Sequence, residues 1–273
     1  MHILSGAAEL PDHLRPESID LLATAFFDGT GGYAVLDSQP ETASSAAVVV
    51  GDFVYPTGIP DLGLVRELAE HHDEELHVMP AGDKWWSLLE RDPGARTSRY
   101  ARYAFDTERF DWEFFARAGD EAEALAREAG VSVQRMSGEH IRKHGNEDWF
   151  DDLICQFPDA DAFLARGIGF VVIENGEVVS GASSYAVYTR GIEVEVGTRK
   201  DRRGRGYATL ASRALLAWGR ETHTFVAWDA ANLTSKRLAE RLGYRDARAY
   251  ECLLYRASGQ YHENEPITGR NPD

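Results

Sequence analysis

The most informative segment of the chain is Arg199-Lys200-Asp201-Arg202-Arg203-Gly204-Arg205-Gly206-Tyr207-Ala208. Its first seven residues hold five cations and one anion, a charge of +4, in a chain whose net charge is −16. The two glycines allow backbone amides to approach a ligand closely. Free N–H groups at the start of a helix, together with the helix dipole, favour a bound anion. The segment therefore predicts a phosphate-binding turn, and the alternative is a solvated charged loop.

Regular elements are predicted on both sides of this turn. Alternation predicts a strand over Ile192–Thr198, and an apolar stripe that includes Leu210, Ala214 and Ala217 predicts a helix over 206–221. A strand over 224–228 and a helix over 233–242 follow. The turn is thus expected to join a strand to the helix that carries the phosphate site.

Two nucleotide-binding motifs use similarly placed glycines. A P-loop requires Lys and then Ser or Thr after its glycine, whereas Tyr207 follows Gly206. A Rossmann motif would use Gly204, Gly206 and Thr209, with Asp229 as the ribose-binding acid. The charged run before the first glycine and the few elements after the motif argue against it. A dinucleotide-dependent oxidoreductase therefore stays as the less favoured alternative.

The residues around the turn resemble the GNAT superfamily of N-acetyltransferases. Residues 203–208 fit its acyl-CoA-binding signature (Arg/Gln)-x-x-Gly-x-(Gly/Ala), and Asn232-x-x-Ser235 with the ending Leu242-Gly243-Tyr244 is similar to its next helix. The sequences that begin at Gly191 and at Trp228 are similar to those of the subgroup that includes the zwittermicin A resistance acetyltransferase. This resemblance covers about 131–256.

The resemblance implies acetyl-CoA as cosubstrate and assigns it a set of residues. The pyrophosphate would lie on the amides of 204–208 with Arg203 facing it, the pantetheine arm would pair with the strand, and Asn232 would bond that arm. The implied cofactor residues are Val196, Thr198, Arg203, Gly204, Arg205, Gly206, Tyr207, Ala208, Asn232 and Ser235. The implied reaction is direct attack of a small-molecule amine on the thioester in a ternary complex.

A primary amine with a pKa near ~10.4 needs on the order of 4–5 kcal/mol to become the free nucleophile at pH 7. Glu193 and Glu195 share one face of the predicted strand, and a base is required. Because family members often carry glutamate near that position, Glu193 is the first candidate and Glu195 the second. The alternative is that both lie on a wet or salt-bridged face.

The sequence departs from the family pattern at the position of the general acid. Many members place a tyrosine where this chain has Ala239. Ser235, Tyr244, Tyr250 or water would have to protonate the thiolate instead. The departure leaves open a second class of function, a catalytically inactive CoA-binding module.

The predicted fold class is α/β, with a GNAT-type mixed central sheet flanked by helices in the C-terminal half. The predicted domains are an N-terminal α/β domain over 1–130, an acetyltransferase domain over 131–258 and a polar tail over 259–273. In the first domain the pattern predicts helices from Pro16 to Phe26, over Leu62–His71 and over Asp83–Glu90, and strands over Ala46–Tyr55 and Glu75–Met79.

The charge of the chain limits the classes of molecule that it is expected to bind. Residues 1–130 carry 10 basic and 25 acidic side chains (−15), and 131–273 carry 19 and 20 (−1). This acidity argues against nucleic acid or an anionic membrane as partner. Two cysteines and no span of about 20 apolar residues predict a cytoplasmic protein. The expected partner is a small-molecule amine, and a homodimer is left open.

No metal is expected. His140 and His144 stand four residues apart without the His-Glu-x-x-His order, and His71, His72 and His77 lie in an acidic stretch, so a solvated surface is predicted for all five. A further set of aromatic residues is expected either in the core or around an acceptor pocket: Trp149, Phe150, Phe163, Tyr185 and Tyr188.

Overall fold

The computed structural model of the chain describes residues 1–16, 19–72, 75–105 and 121–257. It divides into two compact units, Met1–Arg102 with Ala249–Asp273, and Tyr103–Arg248. The predicted boundary at residue 130 lies inside the second unit, and the last strand of the chain belongs to the first unit. No described helix has the length and apolar character that crossing a membrane requires.

The first unit is built on a sheet with short helices. Its strands are β1 (His2–Leu4), β2 (Tyr33–Leu36), β3 (Ser45–Val50), β4 (Phe53–Gly58), β5 (Leu76–Val78), β6 (Ala95–Ala104) and, from the chain's end, β13 (Arg248–Ala257). The helices are α1 (Thr24–Phe27), α2 (Leu62–Glu70) and α3 (Asp83–Glu90). The order is β1-β2-β3-β4-β5-β13-β6, so β13 lies between two strands of early sequence.

A buried carboxylate ties β13 to the rest of the first unit. Asp92, whose side chain is fully buried, accepts hydrogen bonds from Arg66, whose Nε lies 3.1 and 3.0 Å from the two carboxylate oxygens and whose Nη2 also donates. It accepts further bonds from the Gly94 N–H at 2.7 Å and from the Tyr255 hydroxyl on β13. Hydrogen bonding to Arg66 is the largest cause that lowers the pKa of Asp92, to about 2. The charged carboxylate therefore stabilises this unit.

The second unit holds the sheet that the sequence predicts around the glycine turn. Its strands are β7 (Ser132–Arg135), β8 (Gly169–Glu174), β9 (Glu177–Tyr188), β10 (Gly191–Thr198) and β11 (Phe225–Ala227), in the order β11-β10-β9-β8-β7. A two-residue strand, β12 (Asp229–Ala230), pairs antiparallel with Tyr103–Ala104, the last two residues of β6, which belong to this second unit. The pairs from β7 to β10 are antiparallel, and β11 is parallel to β10.

Helices cover both faces of this sheet because its strands alternate apolar side chains between the two faces. One buried cluster joins Val172 and Ile192 to the helices α8 (Tyr207–Glu221) and α9 (Leu233–Arg241). The other joins Val171 to the opposite helices α5 (Gly138–His144), α6 (Asp148–Asp151) and α7 (Ala160–Arg166). Helix α4 is described over 121–128 and adds Ala126 to the first cluster.

The two units repeat one order of elements. In the first, the antiparallel strands β1 to β4 are followed by α2 and then by β5, which is parallel to β4. In the second, the antiparallel strands β7 to β10 are followed by α8 and then by β11, which is parallel to β10. The repeat is one of topology, and the sequence contains no recognisable period.

The predictions for the second half agree with the structure more closely than those for the first. The strand predicted over Ala46–Tyr55 is two strands, β3 and β4, because Gly51 has a φ of 62° and reverses the chain. The helix predicted from Pro16 to Phe26 is only α1, and Ile19 is exposed where that helix would bury it. Residues 17–18 of that helix and the predicted tail over 259–273 lie outside the described residues.

Candidate active site

The glycine turn presents backbone amides to solvent. Gly204 and Gly206 have φ angles of 77° and 82°, a left-handed conformation that favours glycine. Gly206 is the N-cap of α8, and it has no side chain to bond the first amides of the helix. Residues 203–206 are exposed, and a Cβ at either glycine would meet no atom within 4 Å. The turn therefore has the geometry of an anion site.

A glutamate that the sequence analysis missed holds this turn in place. Glu174, at the end of β8, accepts hydrogen bonds from the Tyr207 hydroxyl at 2.6 Å, the Arg202 Nε at 2.7 Å and the Arg205 Nη1 at 3.1 Å. The Tyr207 bond is the largest cause that lowers the pKa of Glu174. With Asp201 also paired to Arg202, the positive charge of the turn is partly neutralised within the protein. The one sequence signal near Glu174 is the hairpin turn that follows it, and this signal does not indicate a contact with the glycine turn.

The corresponding turn of the first unit is closed to anions. There the chain runs from β4 into α2, and the Asp61 side chain at the N-cap accepts from the N–H groups of Gly63 at 2.8 Å and Leu64 at 3.4 Å. A carboxylate on these amides occupies the place that an anion would take and repels it. The repeated topology thus has one open anion turn among the described residues.

Strands β10 and β11 separate close to the turn. Their parallel pairing runs only from Gly191 opposite Phe225 to Glu193 opposite Ala227, whereas β10 continues to Thr198. Beyond Glu193, Val194 and Val196 direct their backbone groups away from β9, towards the side that β11 has left. This open strand edge can pair with an extended ligand.

The two glutamates of β10 share a face, as predicted, but have different surroundings. Glu193 is 6% exposed, and its Oε1 accepts from the Asp229 N–H at 2.8 Å. Glu195 is half-buried, and its Oε1 accepts from the N–H of Val196 at 3.1 Å, at the open strand edge. The opposite face, with Ile192, packs into the core.

Asn232 and Ser235 lie at the start of α9. The Asn232 Oδ1 accepts from the Ser235 N–H at 2.9 Å, which makes Asn232 the N-cap and fixes its side-chain amide. The Ser235 hydroxyl accepts from the Trp228 Nε1 at 3.0 Å. Both residues therefore lie on the segment that follows β11 as it leaves β10.

The candidates for the general acid differ in position. Tyr244 is buried and donates its hydroxyl to the Val226 carbonyl at 2.6 Å. Burial, and then the charge of Glu193, raise the pKa of Tyr244 well above its ordinary value. Tyr250 belongs to the first unit, and Ala239 is buried in the core. Tyr244 is thus a weak acid committed to a backbone carbonyl.

Helix α6 covers the β10 face that carries the glutamates. A Cβ at Gly197 would lie 2.6 Å from the Trp149 carbonyl oxygen and 3.4 Å from its indole ring, so glycine permits this contact. Trp149 Nε1 donates to Glu147 Oε2 at 2.8 Å, and the His144 Nδ1 contacts Glu147 Oε1 at 2.7 Å. Of the five aromatic residues expected in the core or around an acceptor pocket, Trp149 is half-buried. The other four are buried: Phe150, Phe163, Tyr185 and Tyr188.

The solvated positions predicted for the histidines are wrong in part. His144 is buried against Glu147 and Phe150, and His77 is buried in the first unit beside Asp52 and Tyr100. His140 completes the capping box of α5. Among the described residues, no group of three or more His, Cys, Asp or Glu side chains is arranged to hold a metal ion.

The profile of the GNAT acetyltransferase family matches residues 17–253. The chain belongs to the GNAT acetyltransferase family. The match includes most of the first unit, which the sequence motifs alone left unassigned. No curated protein matches the chain.

The chain is similar to several solved structures, and the protein from Streptococcus suis supports this assignment. A GCN5-related N-acetyltransferase-like protein from Streptococcus suis 89/1591 is 30% identical over 88% of this chain and 94% of its own, with a TM-score of 0.76. A putative GNAT-family acetyltransferase from Novosphingobium aromaticivorans DSM 12444 is 17% identical over 79% and 89%, with a TM-score of 0.49. The GCN5-related N-acetyltransferase from Kribbella flavida is 19% identical over 78% and 86%, at 0.47.

Proposed function

We propose that this GNAT-family protein transfers an acetyl group from acetyl-CoA to a primary amine of a small molecule. The observation that carries the proposal is the pairing of an open amide turn at α8 with the open edge of β10. A diphosphate and an extended amide-containing arm are the two features of CoA that such an arrangement suits. The zwittermicin-like subgroup and a cytoplasmic location remain predictions.

In this proposal the amides of 204–208 hold the pyrophosphate, and Arg203 faces it. Arg203 is exposed and its Nε donates to the Thr198 carbonyl at 3.3 Å, which ties the side chain to the end of β10. The arm pairs with Val196 and Thr198, and Asn232 and Ser235 contact it from the start of α9.

We assign the base to Glu195. Its carboxylate lies beside the Val196 amide at the strand edge where the thioester would arrive, and it is more exposed than Glu193. A carboxylate there can accept the proton of an incoming ammonium group, directly or through water. The acidic character of the chain also favours a cationic acceptor.

The absence of a tyrosine at Ala239 favours one competing function, a CoA-binding module without turnover. A thiol-release assay with acetyl-CoA across simple amines, amino sugars and aminopolyols separates the two. Turnover above background with one amine class supports the enzyme, whereas binding of acetyl-CoA with background rates throughout supports the module.

Arg203→Ala tests the cofactor site. Losing a charge-assisted contact of about 1 kcal/mol at an exposed site should weaken acetyl-CoA binding about fivefold and leave the KM for the amine unchanged. Arg220→Ala is the matched control because Arg220 is exposed at the other end of α8, about 20 Å away. Equal losses for acetyl-CoA and amine would contradict the phosphate role of Arg203.

A further inference from the structure

The ladder between β10 and β11 ends one hydrogen bond earlier than its register allows. Phe225 N–H donates to the Arg190 carbonyl at 3.2 Å, the carbonyl just before its partner Gly191. A parallel strand donates in this way from every second residue. The donors that follow are Ala227 and then Asp229, and the carbonyl that the register offers to Asp229 is that of Val194.

A side chain takes the place of that carbonyl. The Asp229 N–H donates to the Glu193 Oε1 at 2.8 Å. The bond joins residues 36 positions apart, and it satisfies two groups at once. A buried backbone N–H requires an acceptor, and a carboxylate that is 6% exposed requires a donor. The strand after β11 is therefore held by a glutamate side chain instead of by the backbone of β10.

The chain after this bond pairs elsewhere. Asp229 and Ala230 form β12 against Ala104 and Tyr103, so the segment that leaves β10 is also fixed on its other side. The Val194 carbonyl and the Val196 N–H point towards the side that this segment has left.

We propose that Glu193 is a positioning residue that opens the cofactor cleft. By accepting the Asp229 amide, its carboxylate ends the β10–β11 ladder and leaves the Val194 carbonyl to pair with the pantetheine arm. This inference rests on the proposed function, and it replaces the base role that the sequence suggested for Glu193. This role requires a hydrogen-bond acceptor at the distance from the backbone that a glutamate side chain provides. It does not require a basic group.

Two substitutions separate reach from basicity. Glu193→Gln keeps an oxygen at the same reach and removes the base, whereas Glu193→Asp keeps the carboxylate and withdraws it by one methylene. Acetyl-CoA affinity is measured by isothermal titration without any amine, and kcat is measured over pH. Folding of each variant is checked by thermal unfolding.

We expect Glu193→Gln to bind acetyl-CoA within threefold of the wild type, with the same pH profile of kcat. We expect Glu193→Asp to bind at least tenfold more weakly. Glu195→Gln is the control for the base, with unchanged affinity and a kcat at least 100-fold lower.

The opposite pattern overturns the proposal. A Glu193→Gln enzyme with wild-type affinity and a 100-fold lower kcat would make Glu193 the base. Wild-type affinity in Glu193→Asp would show that the reach of the carboxylate does not hold the cleft open. If Glu193→Asp does not fold, Glu193→Met takes its place, because it keeps the length of the side chain and removes the acceptor atom; it should bind acetyl-CoA at least tenfold more weakly, and wild-type affinity would overturn the proposal. Failure of the wild type to bind acetyl-CoA would overturn the proposed function itself, and this inference with it.

Discussion

The sharpest prediction concerns the conformation of Gly206. Its φ of 82° and ψ of 4° lie in the left-handed region, where an L-residue costs about 1–2 kcal/mol. A Cβ there would meet no atom within 4 Å, so Gly206→Ala adds backbone strain and no clash. The exposed turn can relieve that strain by rotating when it is empty, but a bound diphosphate requires the original amide directions. The cost therefore appears at binding, as about a 5- to 30-fold weaker affinity for acetyl-CoA.

Gly29→Ala provides the matched control. Gly29 has a φ of 69°, and a Cβ there would also meet no atom within 4 Å, but it follows α1 in the first unit. Titration calorimetry with acetyl-CoA should show the loss for Gly206→Ala and wild-type affinity for Gly29→Ala. Wild-type affinity in both variants would refute the assignment of the phosphates to the amides of this turn.

Two further predictions concern stability. Asp92 has its pKa lowered from 3.8 to about 2, so its carboxylate contributes about 2 kcal/mol above pH 4 and loses this as the pH falls towards 2. Asp92→Asn should lower the free energy of urea unfolding of the first unit by that amount at pH 7, and by less at pH 3. Asp12→Asn is the control, because Asp12 lies in an exposed ion pair, and it should cost under about 0.5 kcal/mol. Equal effects of the two substitutions at pH 7 would contradict the role given to Asp92. Gly197→Ala should lower the thermal stability by about 1–3 kcal/mol because its Cβ would lie 2.6 Å from the Trp149 carbonyl oxygen, and Gly31→Ala, which meets no atom, should be neutral. An unchanged melting temperature in Gly197→Ala would show that α6 does not lie on β10.

The second half of the fold was predictable because its signals are local. The helix α8 is encoded by an apolar stripe, its start by Gly204 and Gly206, and the hairpin between β8 and β9 by Asn175-Gly176. Each of these signals depends on neighbours within one or two turns of chain. The first half failed where a single glycine decided the outcome: Gly51 divides one predicted strand into two, and the apolar run around it does not reveal the turn.

The repeat of topology was not visible in the sequence. The two units share an order of strands and helices, but the turn before α2 carries Asp61 where the turn before α8 carries Gly206. Topology depends on which strands pair, and many sequences satisfy the same pairing. The chemistry of the turn depends on one residue, so the two copies diverge there without any change of fold.

The cationic, glycine-containing turn between a strand and a helix can be predicted from the amino acids alone, since conformation and charge at that turn are properties of adjacent residues. The contacts that hold the site in place depend on the fold. Glu174 reaches the turn from β8, 28 residues before Arg202, and Glu193 reaches Asp229 across the parting strands. Such contacts depend on strand order and register, which are set by the packing of the whole sheet. The strand pattern suggested Glu193 as a base, whereas in the fold its carboxylate accepts the Asp229 N–H, which the strand register would pair with the Val194 carbonyl.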